Sequence, residues 1–136
     1  MNALILLTEE HQVLRPFLAR LRQAANSGPE QELALALAAA KTALGEDLDH
    51  HIALEDEQLF PLIARSLGEG LIVPFVDDHR RIQQVRNTLY AAPGSQARTL
   101  ALTLEDMLGD HLAREEEILF PSAQEALSAH ALEVNW

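Results

Sequence analysis

The chain has 136 residues, no cysteine and a formal net charge of −11. This length suits one domain with a sizeable hydrophobic core. The lack of cysteine excludes disulfides, thiol nucleophiles and zinc–thiolate sites, and the negative charge argues against nucleic-acid backbones and anionic membranes as partners. We therefore expect one domain over residues 1–136 that binds neither nucleic acid nor membrane.

Breaker residues divide the chain into four segments, each with an apolar stripe at helical spacing. The breaks fall at residues 26–29, 68–70 and 91–94. Leucine and alanine dominate the apolar content, which favours helix over strand. Because the connections are short, we expect an all-α fold, an antiparallel up-down-up-down four-helix bundle. Pro61 and Pro121 are expected to kink or end their helices.

Two segments of the chain repeat each other. Residues 51–61 read HIALEDEQLFP and residues 111–121 read HLAREEEILFP, so both contain His-x-x-x-Glu followed by Phe-Pro. Residues 8–11, TEEH, similarly resemble residues 76–79, VDDH. A histidine and a glutamate four residues apart lie on one face of a helix. The repeats therefore place single histidines and His–Glu pairs alternately along the chain.

Six polar residues stand in the apolar stripes where leucine would be expected, namely His11, His51, Glu55, His79, His111 and Glu115. Counted from the breaks, the four histidines fall at a similar height in the bundle. A buried glutamate without a partner is costly, whereas nitrogen and carboxylate ligands together suit a transition metal. We predict that these six residues bind two divalent ions. Pairing of Glu55 with His50 instead of His51 stays open.

Eight acidic residues flank the candidate ligands. We expect them to form a solvated face, and Glu116 is of most interest because it follows His111 by five positions. They are Glu9, Glu10, Asp56, Glu57, Asp77, Asp78, Glu116 and Glu117.

The order His, His-x-x-x-Glu, His, His-x-x-x-Glu, with Leu-Phe-Pro after each glutamate, resembles the hemerythrin-like (HHE cation-binding) domain family. The resemblance covers nearly the whole chain. It implies a di-iron site with terminal imidazole ligands, in which Glu55 and Glu115 bridge two iron ions (Fe2+/Fe3+) together with an oxo or hydroxo group. The terminal ligands would be His11, His51, His79 and His111. Zinc or manganese is also compatible with these ligand types.

The chain departs from the oxygen-carrying hemerythrins, which place a second histidine one turn from the first on helix 3. Here the positions four residues either side of His79 are Phe75 and Gln83. Those proteins also use an aspartate five residues after the helix 4 histidine, where this chain has Glu115 at four. The ligand set is closer to that of bacterial iron-cluster-repair proteins, which carry an additional cysteine-containing N-terminal region.

Two histidines, two carboxylate oxygens and one bridge give each ion about five ligands, so an octahedral ion keeps an open position, as in catalytic zinc sites. We therefore expect a di-iron protein that binds a small diatomic ligand, O2 or NO, in the bundle core. Apolar neighbours would keep water out. These are Leu7, Leu14, Leu48, Ile82 and Leu108.

A di-iron redox enzyme, either a peroxidase or oxidase or a protein of NO stress and iron handling, is the alternative. No cofactor motif or glycine-rich phosphate loop accompanies the site, so a binding protein is favoured over a turnover enzyme. Metal storage or sensing and a metal-free interaction module are further alternatives. Because the apolar run at residues 1–7 is short and lacks a basic flank, we expect a cytoplasmic protein.

Overall fold

The computed structural model describes residues 1–136 and is all-helical. Helix α1 (Ala3–Ser27) begins at Asn2, whose side chain accepts hydrogen bonds from the backbone N–H groups of Leu4 and Ile5. Such a cap satisfies donors that the first turn of a helix leaves free. None of the helices combines the length and apolar content needed to cross a bilayer.

A second helical stretch is made of three α-helices joined by two π-helical turns, Ala43–Asp47 and Glu55–Leu59. It ends at Gly68, whose φ of 88° lies in the left-handed region that favours glycine. The three helices are α2 (Glu30–Thr42), α3 (Leu48–Leu54) and α4 (Phe60–Leu67).

The second half of the chain follows a short 3-10 turn, Glu69–Leu71, and mirrors the first half. A single helix comes first, and a longer stretch interrupted by the π-helical turn Glu115–Leu119 comes second. The helices are α5 (Val73–Ala91), α6 (Gly94–Arg114), α7 (Phe120–Ala126) and the short α8 (Ala129–Leu132). The three expected breaks therefore coincide with the ends of the four long stretches. Helix α1 packs against α2 and α6, and α5 packs against α6.

Neither Pro61 nor Pro121 ends its helical stretch. In each repeat the residue before the proline makes a π-type bond, because Phe60 N–H donates to the Glu55 carbonyl and Phe120 N–H to the Glu115 carbonyl. Each proline then lies in the first turn of the next α-helix, where its missing N–H is tolerated. The expected distortion thus takes the form of a wide turn, and the expected helix end is wrong.

Two apolar clusters form the core. The larger one extends from Leu14 and Leu18 of α1 to Leu104 and Leu108 of α6. The smaller one contains Phe60, Phe75 and Phe120, and Leu132 of α8 closes it. In every long stretch the candidate ligands lie between residues of the two clusters, as His11 does between Leu7 and Leu14. A polar layer therefore crosses an otherwise apolar interior.

Replacing Leu104 by alanine tests whether the larger cluster stabilises the fold independently of the polar layer. Leu104 is completely buried, so L104A should lower the free energy of unfolding by about 2–5 kcal/mol. The half-exposed Ile118 is the control, and I118A should change it by less than about 0.5 kcal/mol. Urea titration measures both, and equal effects would contradict this description of the core.

Candidate metal centre

The structure brings all six predicted site residues together in the layer between the two apolar clusters. Their exposed fractions run from 0% to 3%, so each side chain is shut away from solvent. The residues are His11, His51, Glu55, His79, His111 and Glu115. The neighbouring His50 is exposed, which decides the open question of register, because His51 is the histidine that meets Glu55.

The six side chains form two groups that share both carboxylates. One group holds His11 and His51 and the other holds His79 and His111, and each group includes Glu55 and Glu115. Within each group the potential ligand atoms lie within 4.8 Å of one another. The Nε2 atoms of His11 and His51 are 3.3 Å apart, and those of His79 and His111 are 3.1 Å apart.

The carboxylate of Glu115 spans the two groups with its two oxygens. Its Oε1 lies 3.2 Å from Nε2 of His11, and its Oε2 lies 3.4 Å from Nε2 of His111. Glu55 reaches both groups through one oxygen, because its Oε1 lies 3.4 Å from Nε2 of His51 and 3.2 Å from Nε2 of His79. Both glutamates therefore stand where a carboxylate could be shared between two ions.

The outer nitrogen of every histidine contacts a carboxylate from a neighbouring helical stretch. The Nδ1 atoms of His11, His51 and His79 lie 2.7 Å from their partners, and that of His111 lies 3.2 Å away. Taken around the site, Glu10 contacts His51, Asp56 contacts His79, Asp78 contacts His111 and Glu116 contacts His11. Each stretch thus supplies one carboxylate to the next, and the four contacts close into a ring.

These contacts correct the expectation of a solvated acidic face. It holds for Glu9, Glu57, Asp77 and Glu117, which are exposed. It is wrong for Glu10, Asp56, Asp78 and Glu116, which are partly buried against the histidines. The signal was present in the repeats, because an acidic residue directly precedes each single histidine and directly follows each candidate glutamate. We missed it because the repeat does not show which neighbouring helix an acidic side chain reaches.

The ring of contacts fixes the tautomer of the imidazoles. An ionised carboxylate only accepts hydrogen bonds, so Nδ1 must carry the proton and donate it. In a neutral imidazole the Nε2 atom then presents a lone pair. When all four imidazoles are neutral, their Nε2 lone pairs face Glu55 and Glu115, and the interior of the site is lined by electron-pair donors.

The chemistry of the two carboxylates fits a metal-binding donor set. All four oxygens of Glu55 and Glu115 are buried and lack a hydrogen-bond partner. A buried carboxylate without a partner carries a large desolvation cost. Divalent ions accept both carboxylate oxygen and imidazole nitrogen, and they would neutralise the two negative charges. Bound metal ions would therefore offset the desolvation cost of the two carboxylates, which remains if the site binds no metal.

Phenylalanines cover three of the four histidines. The ring of Phe120 stacks on His11 with centroids 5.7 Å apart, and that of Phe60 stacks on His79 at 5.4 Å. These are the phenylalanines of the two Phe-Pro motifs, which gives those motifs a role at the site. Phe75 meets the edge of His111 at 5.8 Å. Phe75 packs against His111, and Gln83 donates a hydrogen bond to Asp49. The positions four residues before and after His79 therefore supply no further ligand.

Each histidine pair of the metal-free protein contains one strongly basic imidazole. Burial lowers the pKa of His51, but the charge of Glu55 and the hydrogen bond with Glu10 outweigh it and raise the pKa to about 9. For His79, the hydrogen bond with Asp56 and the negative charge of Glu55 likewise outweigh burial and raise the pKa to about 9. At neutral pH both imidazoles therefore carry a second proton on Nε2.

The other histidine of each pair behaves in the opposite way. Burial and the charge of His51 lower the pKa of His11. Burial and the charge of His79 lower the pKa of His111 to about 4. Burial and the charge of Glu55 raise the pKa of Glu115 well above its usual range. The metal-free centre thus holds protons at positions where ions would bind.

The fold is all-helical, and its core holds two His/Glu groups that share both carboxylates. These features together are typical of a metal-binding helical protein. The family model for the hemerythrin HHE cation-binding domain matches residues 2–131. The chain therefore belongs to the hemerythrin HHE cation-binding family. No curated protein and no solved structure matches the chain.

Glu116 and Glu117 offer a matched test of the ring of contacts. Glu116 contacts Nδ1 of His11 and pairs with Arg15, whereas Glu117 is exposed. Loss of a carboxylate behind a metal-binding histidine weakens metal affinity by about 10–100-fold. We expect E116Q to show this loss and E117Q to bind like the wild type, as measured by competition with a chelator of known affinity. Equal affinities in both variants would show that the contact is unimportant.

Metal affinity should rise with pH between about 6.5 and 9. Because the pKa values of His51 and His79 are raised to about 9, a metal ion must displace a proton from each pair throughout this range. Every displaced proton makes affinity rise by about tenfold per pH unit, and the rise ends above the raised pKa values. Zn2+ titrations in two buffers of different ionisation enthalpy measure the proton release. A pH-independent affinity would contradict the protonated state of the metal-free site.

Proposed function

We propose that this protein holds two iron ions in its core and binds a small diatomic ligand there, O2 or NO. The observation that carries the proposal is the pair of glutamates with four buried, partnerless oxygens. They lie between four imidazoles whose Nδ1 atoms are held by carboxylates. His11, His51, Glu55, His79, His111 and Glu115 are the proposed ligands.

The donor count supports an open coordination position. Each group offers two imidazole nitrogens and shares the carboxylates of Glu55 and Glu115, which leaves an octahedral ion short of six protein ligands. Bound iron would supply reversible electron transfer together with a free position for a small ligand. A structural site, by contrast, fills every position with protein atoms.

The surroundings favour a small, weakly polar ligand. Leu7, Leu14, Leu48, Ile82 and Leu108 are buried, with exposed fractions of at most 4%. These side chains belong to the apolar clusters on the two sides of the polar layer and limit the access of bulk water to a reduced centre. A diatomic gas suits such an interior because it loses little hydration on entering it.

The antiparallel up-down-up-down arrangement belongs to the same proposal. The ring of four carboxylate–histidine contacts joins each helical stretch to the next and the last to the first. Short connections at Gly28, Gly68 and Ala92 support reversal of direction between successive stretches. Metal and ligand sites in bundles of this kind are built from side chains on facing helices.

Iron is proposed over zinc or manganese because the chain belongs to the hemerythrin HHE cation-binding family, whose cation is commonly iron. Imidazole also suits zinc, while carboxylates also suit manganese. Metal content after growth with each metal in competition decides among the three.

Cycling the reduced, iron-loaded protein through O2 and vacuum tests the function. We expect two irons per chain and a visible absorption band that appears with O2 and disappears on degassing, with a separate reversible change on addition of NO. An irreversible spectral change accompanied by consumption of O2 would overturn reversible binding and favour the redox enzyme. H51A should lose iron and both gas responses, whereas H50A, which alters an exposed neighbour, should keep them.

A further inference from the structure

The internal repeat allows the two halves of the centre to be compared position by position. Aligning His11 with His79 and His51 with His111 pairs Glu10 with Asp78, and Val13 with Arg81. If the halves were equivalent, the surroundings of His51 and His111 would match. The surroundings of His51 and His111 differ in three respects, which are an adjoining cavity, contact with a phenylalanine ring and the charge of the neighbouring side chains.

The side of the site next to His51 is open. A cavity of about 280 Å³ lies between α1 and the second helical stretch, and His51 forms part of its wall. Glu10, Asp47 and His50 also line it, and no arginine or lysine does. Asp47 and His50 are exposed, and the side chain of Glu10 is 38% exposed while it accepts the hydrogen bond from His51. Unlike the other three histidines, His51 has no phenylalanine ring against it.

On the corresponding side, next to His111, two arginines pair with the carboxylate that contacts the histidine. Asp78 is paired with both Arg81, at 3.1 Å, and Arg114. Arg114 also binds Asp110 at 2.9 Å, and its guanidinium lies 5.6 Å from the centre of the Phe75 ring. The repeat places Leu54 opposite Arg114, and Val13 opposite Arg81. The first half therefore lacks both guanidinium groups that cover its counterpart.

This difference has an electrostatic consequence. A divalent cation that approaches His51 meets the carboxylates of Glu10 and Asp47 in a cavity that no arginine or lysine lines, and these two carboxylates outnumber the single positive charge of a protonated His51. A cation that approaches His111 meets Arg81 and Arg114 first. A path lined by one sign of charge concentrates ions of the opposite sign and speeds their association.

We propose that divalent metal ions reach the buried centre through the cavity beside His51, and that Arg81 and Arg114 close the equivalent path beside His111. The proposal rests on the proposed function only in that the centre binds metal. Glu10 and Asp47 attract the hydrated ion, and His51 is the side chain it meets at the inner end.

An arginine introduced at position 13, the counterpart of Arg81 in the first half, tests the proposal. Val13 is 63% exposed, so V13R should fold normally, and it places a guanidinium three residues after Glu10, as Arg81 stands to Asp78. Co2+ is mixed with full-length protein stripped of metal, and its visible absorption reports binding over time. We expect V13R to load at least about tenfold more slowly at low salt, with the same final cobalt content as the wild type.

Gln12 supplies the matched control. It is exposed, lies next to Val13 and does not line the cavity, so Q12R makes the same charge change outside the cavity and should slow loading clearly less than V13R does, and least at higher salt, where its charge is screened. D47N, which removes one carboxylate from the cavity, should slow loading in the same direction as V13R. R81V should not slow it.

The outcomes separate the two proposals. Normal loading rates in V13R and D47N, with full cobalt content, would overturn the access route and leave the metal centre intact. Equal slowing by V13R and Q12R would also overturn it, because net charge alone would then explain the effect. Failure of the wild type to bind Co2+, Fe2+ or Zn2+ would overturn the metal centre itself.

Discussion

The burial of two carboxylates without hydrogen-bond partners is the constraint on which the rest of this structure depends. Glu55 and Glu115 are completely buried, and none of their four oxygens is bonded within the protein. A core that contained only these groups would be destabilised by their desolvation. The four imidazoles and the ions they can hold would offset that cost, so the polar layer can lie between two apolar clusters.

The ring of four outer carboxylates makes this layer specific. Because Glu10, Asp56, Asp78 and Glu116 each hold the Nδ1 of a histidine on the next helical stretch, Nε2 is left to face inward in every case. A shift of one stretch along its axis would break contacts with both neighbours at once. The ring therefore aligns the stretches and also selects the imidazole tautomer, so packing and chemistry depend on the same four contacts.

The sequence allowed prediction of the helices, their breaks and the six inward-facing residues, because all of these follow from helical periodicity and from the internal repeat. It did not allow prediction of the ring, since the pairing of Glu116 with His11 or Asp56 with His79 depends on which helices are neighbours and how they are rotated. The π-helical turns were also missed as such. Pro61 and Pro121 indicated that the helices are distorted nearby. The form of the distortion depends on tertiary packing, because the backbone N–H groups of Phe60 and Phe120 bond to the carbonyls of Glu55 and Glu115.

The two halves of the repeat supply the same ligands, but the charged side chains around those ligands differ between the halves. Glu116 and Asp78 are neutralised by Arg15 and Arg114, whereas Glu10 and Asp56 have histidine as their only ionic partner. Each histidine pair therefore contains one imidazole backed by a neutralised carboxylate and one backed by a free carboxylate. A free carboxylate makes its imidazole a stronger electron donor. Arg114 takes part in both differences, because it pairs with Asp78 and stands where the first half has Leu54. The two halves therefore differ in donor strength and in the proposed direction of access while their ligands stay the same.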